Sequence, residues 1–318
     1  MLNPPAPSGT DPLPVSQVAW RPQWAGNTLR SSSVLCTTTA DGAIQHWSLT
    51  TFKLMNEMTM HKEAENNLTA LDYTRDGKKF AVGGRDRNVY VYDDHTRELV
   101  TTMHSRGQKV WGHRNRIFCI KCHPDDENLL VSAGWDGAVK IYDIRDKAPV
   151  GSMRGPEISG DSLDIFEDLI VSGSYRNQEA MQIFSISQRK RVHTWDWSQS
   201  RDSDSGYVFG ARFTNDGNFI VAGGAGNNEL KVFMNNSDTT ATFKLQMEVK
   251  NLPSAITNVA TNPNPDSKQL AFGCANGNVH VLPYEVEPNA EFEPYTGDIA
   301  RVAKAQIKVE RERLQRCI

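Results

Sequence analysis

From Val15 to about residue 286, apolar and polar positions alternate in short runs broken by turns bearing Gly, Asp, Asn and Pro. Alternation with a period of two argues for half-buried strands, and Asp-Gly steps between runs argue for antiparallel hairpins. The clearest stretch is Gly112–Asp143. In it Ile117–Cys122 and Leu129–Ala133 flank a polar turn over His123–Asn128, and Ala138–Tyr142 follows the tight Asp136-Gly137 step. A meander of this size cannot bury both faces alone, so it requires copies beside it.

The same pattern predicts those copies. Val15–Trp20, Val34–Thr39, Ala43–Trp47 and Lys53–Met60 read as a first unit; Leu68–Tyr73, Phe80–Gly84, Val89–Tyr92 and Leu99–Met103 read as a second. The Gly112–Asp143 stretch supplies the three strands of a third. Leu163–Phe166, Leu169–Gly173, Met181–Phe184 and Arg191–Trp197 give the fourth, and Tyr207–Phe213, Phe219–Gly223, Leu230–Phe233 and Thr242–Met247 the fifth. Ile256–Thr261, Gln269–Gly273 and Asn278–Leu282 give an incomplete sixth. In four units a turn residue precedes the large residue of the third strand by six positions: Asp41/Trp47, Asp86/Tyr92, Asp136/Tyr142 and Asn276/Leu282. Units four and five carry longer turns there. From the second unit on, starts recur every 40 to 50 residues or so, the length of a four-stranded propeller blade.

Gly112-His113, the turn Asp136 and the closing Tyr142-Asp143 resemble a WD40 repeat, with Tyr where that family usually has Trp. The other units match more weakly, and together the resemblance covers most of residues 15–286. It implies a structural network in which His113, Ser132 and Asp136 hold three family positions and Tyr142 is a changed fourth. It also implies seven blades. Six units are visible, so six or seven blades are expected, with an open ring completed by a partner as a third arrangement.

Composition is ordinary for a soluble chain of 318 residues, and no apolar run approaches the ~18 residues of a membrane helix. Met1–Pro14 holds five prolines and no basic residue, unlike a secretory or mitochondrial leader. The five cysteines are odd in number and mostly lie within strand patterns, which points to free thiols in a reducing compartment. The expected location is the cytoplasm, with the nucleus as the alternative. The expected organisation is a Pro-rich extended lead-in over 1–14, an all-β propeller over 15–290, and a linker with a basic α-helix over 291–318. That helix, capped by Asp298 and running from Ile299 to Arg316, carries a net +4, while the whole chain carries −3. It is expected to dock on its own domain or on a partner.

Four patterns imitate chemistry. Cys119-Ile120-Lys121-Cys122-His123 spells a haem-attachment motif, but residues three apart on a strand point to opposite faces. Ser132, His113 and Asp136 are the side-chain types of a hydrolase triad, which the family resemblance assigns to a buried framework instead. Gly155–Ser162 approaches a phosphate loop, yet Asp161 stands where the lysine belongs. Gly223–Gly226 lacks the following helix of a dinucleotide site. No enzyme activity, cofactor or metal is therefore expected.

The residue just before each turn should lie on one rim of the blades. The six are Ala40, Arg85, Trp135, Tyr175, Ala225 and Ala275. Arg, Trp and Tyr are the types enriched at binding hot spots. A partner-binding patch is thus expected at Arg85, Trp135 and Tyr175, flanked by Arg114; the alternative is that the aromatics only cover neighbouring loops. The functional expectation is a non-catalytic scaffold for protein or peptide partners, as the WD40 resemblance also implies. The alternative is a nucleic-acid or anionic-surface adaptor using the basic tail and the rim arginines. Nucleic acid is disfavoured because the rest of the chain is acidic.

Overall fold

The computed structural model describes residues 14–22, 33–103, 112–176, 178–197, 206–226, 228–235, 243–264 and 268–283. Among the described residues the architecture is all-β: six antiparallel sheets, each one blade of a β-propeller. The first sheet comprises β1 (Val15–Trp20), β2 (Val34–Thr39), β3 (Ile44–Ser48) and β4 (Lys53–Met58). A single-turn helix α1 (Met60–Glu63) follows. The second sheet holds β5 (Leu68–Tyr73), β6 (Lys79–Gly84), β7 (Val89–Asp93) and β8 (Leu99–Met103). The third holds β9 (Ile117–Cys122), β10 (Leu129–Gly134), β11 (Ala138–Asp143) and β12 (Ala148–Arg154). Next come β13 (Leu163–Phe166), β14 (Leu169–Gly173), β15 (Met181–Ser185) and β16 (Lys190–Trp195). The fifth sheet has β17 (Val208–Phe213), β18 (Phe219–Gly224), β19 (Leu230–Asn235) and β20 (Phe243–Val249). The sixth has three strands among the described residues: β21 (Ile256–Thr261), β22 (Gln269–Cys274) and β23 (Val279–Pro283).

Two departures from the sequence expectation stand out. Lys53–Met60 was expected as one strand, but it ends at Met58 and the chain then makes one helical turn. The third unit gains a fourth strand, β12, that the pattern had not revealed. The basic helix over Ile299–Arg316 lies outside the described residues, as does nearly all of the lead-in over 1–14. Among the described residues no helix is long and apolar enough to cross a membrane.

Register shows that the sheets share one plan. A bulge interrupts first-to-second-strand pairing near the same end in sheets one, two, three, five and six, as between Val15 and Gln17 and between Leu68 and Ala70. A second bulge falls just before the large third-strand residue, at Trp47, Tyr92, Tyr142 and Phe233. A bulge adds a residue and sharpens strand twist, so recurrence at matched places marks a repeated design.

The chain divides into two compact units, residues 1–170 with 185–191, and residues 171–184 with 192–318. In the first, apolar cores are shared by successive sheets. Cys36, Ile44 and Met58 of sheet one pack with Leu68, Phe80 and Tyr92 of sheet two. Ala70, Val91 and Met103 of sheet two pack with Ile117, Ile120 and Tyr142 of sheet three. In the second unit Val221, Leu230 and Val232 pack with Ile256, Leu270 and Phe272. The middle strands are covered on both faces, which explains near-continuous burial along β2, β10 and β18.

Candidate functional site

The β10–β11 turn is held from beneath by a buried polar chain. Asp136 accepts from His113 Nδ1 at 2.9 and 3.0 Å, and from the Arg114 backbone N–H at 2.9 Å. With Nδ1 donating, His113 Nε2 accepts from the Ser132 hydroxyl at 2.7 Å. Burial opposes charge on Asp136, but the hydrogen bonds from His113 and the Arg114 N–H, with the Lys140 charge, outweigh it and hold the carboxyl below its usual range. Gly137 completes the turn at φ 65°. The Tyr142 hydroxyl is buried and finds no protein partner of normal hydrogen-bond geometry among the described residues. The whole arrangement is interior, so it fixes the loop rather than presenting a nucleophile.

Sister turns solve the same problem with other residues. In sheet one, Trp47 Nε1 donates to Thr37 Oγ1 at 3.1 Å, while Asp41 accepts from Thr39 and pairs with Lys62 at 2.9 Å. In sheet two, His61 of α1 bonds the Tyr92 hydroxyl at 2.8 Å and Asn66 at 3.2 Å. Asp86 turns to the Tyr90 hydroxyl and the Asn88 N–H. His61 escaped the sequence reading; the available signal was its distance before Asp86, nearly that of His113 before Asp136.

Above these anchors lie exposed side chains of the first unit. Trp135 is 49% exposed and its ring lies 5.0 Å from Phe118 in a tilted pair. The Arg116 guanidinium sits 5.8 Å from the Phe118 centroid. Backbone bonds bring the two loops to one end of β5 and β9: Arg85 N–H donates to Asn67 O at 3.0 Å, and Trp135 N–H donates to Arg116 O at 3.3 Å. Thr69 Oγ1 donates to Ile117 O between them. Arg85 and Arg114 are exposed. Arg87, which the sequence reading passed over, takes φ 73° where Gly42, Gly137 and Gly277 hold the matching place in other turns. A long side chain in that region costs about 1–2 kcal/mol. Tyr175 belongs to the second unit, where it is 46% exposed and stacks on Tyr207 at 4.4 Å. Ala40 and Ala225 present almost nothing at the matching turns.

The remaining chemistry is quiet. Cys119 Sγ lies 3.0 Å from Asp161 Oδ1, whereas Cys122 turns to Asp72, so the two thiols address opposite sides of β9. Burial pushes the Cys122 thiol well above its usual value. Among the described residues no group of three or more His, Cys, Asp or Glu could hold a metal ion.

The family profile of the WD domain, G-beta repeat, matches residues 52–93 and 104–143, the first from β4 of sheet one through β7 of sheet two and the second over β9 to β11 of sheet three. Those stretches carry WD40 repeats. Propellers of this family generally act as non-catalytic scaffolds that bind protein partners in complexes. Similar curated proteins include pre-mRNA-processing factor 19 of Mus musculus, 28% identical over 145 residues, or 45% of this chain and 27% of that protein. Autophagy-related protein 16 of Arabidopsis thaliana is 29% identical over 104 residues, covering 33% and 19%. The mRNA export factor GLE2 of Chaetomium thermophilum is 26% identical over 120 residues, covering 37% and 31%. These WD40 alignments span less than a third of each relative's length.

Proposed function

We propose that this WD40 protein is a non-catalytic scaffold that binds protein or peptide partners through the rim loops of its blades and so assembles a larger complex. The observation that carries the reading is the exposed Trp135–Phe118 pair, set on a turn anchored by His113 and Asp136 and flanked by Arg85 and Arg114. A large aromatic half in solvent on a rigid loop is a hot-spot arrangement, since its ordering cost is met before the partner arrives. Tyr175 offers a second exposed aromatic within its own unit. The relatives bear on pre-mRNA processing, autophagy and mRNA export by name, which suits a complex-forming role in the cytoplasm or nucleus.

The test is affinity capture with the full chain and with the Arg85→Ala/Trp135→Ala/Tyr175→Ala variant, scored beside circular dichroism and thermal unfolding. The expected result is loss of the main captured proteins with folding unchanged. Retention of every partner at undiminished yield by a folded triple variant overturns the rim as the binding surface.

A further inference from the structure

We infer that the rim of the first unit receives an extended acidic peptide: carboxylates meet Arg85, Arg87, Arg114 and Arg116, and one aromatic or long aliphatic residue packs on Trp135 and Phe118. This rests on the scaffold reading above and names the chemistry of its partner.

Three observations converge on it. First, the four guanidinium groups pair with no carboxylate among the described residues. The turn acids beside them are already engaged, Asp86 by Tyr90 and Asn88, and Asp136 by His113 and the Arg114 N–H. Both loops therefore present positive charge over satisfied anions, in a chain whose formal net charge is −3. Second, Lys140 lies beneath the same turn, buried with its Nζ on Ser152 Oγ at 2.8 Å. Burial holds its ammonium below its ordinary value, opposed by Asp136 and aided by the Arg114 charge, so a further basic group lies under the turn. Third, Arg87 occupies a left-handed position that sister turns give to glycine. Positive φ at a long charged side chain also occurs at Arg97, Lys147 and Arg189, so what marks Arg87 is its place in a rim turn two residues from Arg85.

The form of the partner follows. Arginines spaced two apart on each of two loops offer separate positive points, which several single-charged carboxylates along a segment can meet. The aromatic pair beside Arg116 supplies one apolar seat. A nucleic acid would require a longer phosphate track than two loops provide.

The probe is a fluorescein-labelled peptide with a central Trp flanked on each side by alternating Asp and Ser, compared with its Asn/Ser and Lys/Ser counterparts and with a labelled oligouridylate. Binding to the full chain is read by anisotropy at low and moderate salt. The Asp peptide is expected to bind at least about tenfold more tightly than the Asn peptide and to weaken with salt. Arg85→Ala/Arg114→Ala should cost about tenfold in affinity and Trp135→Ala about as much. Arg87→Gly should weaken binding several-fold while leaving thermal stability equal or higher, a combination that misfolding cannot produce.

Equal affinity for the Asp and Asn peptides, tighter binding of oligouridylate, or indifference to Arg87→Gly overturns the inference. If captured partners still depend on Trp135 in any of those cases, the scaffold reading survives and only the acidic assignment falls. If capture is also indifferent to Trp135, both fall.

Discussion

Sheets three and five share a register position and fill it with opposite strategies. In sheet three Ser132 lies opposite Lys140, which in turn lies opposite Ser152; in sheet five the same places hold Ala222, Lys231 and Glu248. Lys140 makes a single neutral-partner bond, and the turn above it depends on His113 and Asp136. Sheet five has a longer turn and no such histidine. There Lys231 Nζ sits 3.1 Å from Glu229, 3.0 Å from Glu248 and 4.6 Å from the Trp197 ring centroid. The blade plan thus demands a buried polar tie between turn and sheet without dictating its chemistry. Buried charges need partners at close range, and either a His–Asp pair or a lysine between two carboxylates meets that need.

The sharpest way to break this comparison is to remove the two lysines. Lys231→Met strands Glu229 in the interior and leaves Glu248 with Lys250 alone, and it should cost about 3–5 kcal/mol, as loss of one member of a buried pair does. Lys140→Met forfeits one hydrogen bond and should cost about 1 kcal/mol. His113→Ala, which leaves Asp136 buried without its main donor, should behave like Lys231→Met. Urea midpoints followed by circular dichroism separate these outcomes. If Lys140→Met and Lys231→Met shift the midpoint equally, the two ties are not different in kind.

A smaller contrast lies where the second strand meets its neighbour. A Cβ on Gly223 would stand 2.6 Å from Ile256 Cγ2, and one on Gly83 would stand 2.9 Å from the terminal Cδ1 of Ile120. On Gly273, at the matching place in sheet six, it would meet among the described residues only Thr257 Oγ1 at 3.8 Å. Gly223→Ala should therefore cost about 1–3 kcal/mol by overpacking, with Gly83→Ala at the low end because a terminal methyl can rotate away. Gly273→Ala should be neutral or stabilise by about 0.4–1 kcal/mol through the unfolded chain. Thermal midpoints in any other order would show that the sheets do not pack by a common rule.

Much of the blade plan was legible because half-buried strands impose a period of two and their hairpins demand Asp-Gly chemistry. What escaped did so for physical reasons. The strand Ala148–Arg154 opens Ala-Pro-Val-Gly, which reads as loop; it forms because β12 is an edge, where a missing N–H costs no ladder bond. The turn Met60–Glu63 is too short to show helical periodicity. Trp135 could be found by its offset from Asp136. Phe118 could not, because the bulge opposite Gly134 resets the alternation that would have assigned its face. Arg87 was hidden because a position that requires positive φ is recognised by glycine, and here glycine is absent.

The subtlest expected contrast is in response to acid, and its sign is fixed by which groups folding perturbs. In the first unit His46 and His61 are both buried, and burial pushes both pKa values below 6.5; the Arg97 and Arg21 charges add to this at His46, while Asp94 opposes it. Such histidines bind fewer protons folded than unfolded, so their contribution is complete above about pH 6.5 and declines as pH falls below it. Asp94, held to about 2 because His46, Arg97 and Tyr73 overcome its burial, contributes stability present above ordinary carboxylate values and lost only as pH falls towards 2. Asp136 follows the same direction. Acid should therefore weaken the first unit in two stages, with histidine first and carboxylate second. Over the first stage each histidine can contribute at most about 1.4 kcal/mol per pH unit. His61→Gln keeps a polar group beside Tyr92 and removes one titration, so the decline in thermal midpoint between pH 7 and pH 5.5 should become shallower. An unchanged slope in His61→Gln, with His46 intact, would mean that this buried imidazole is not what the acid reaches.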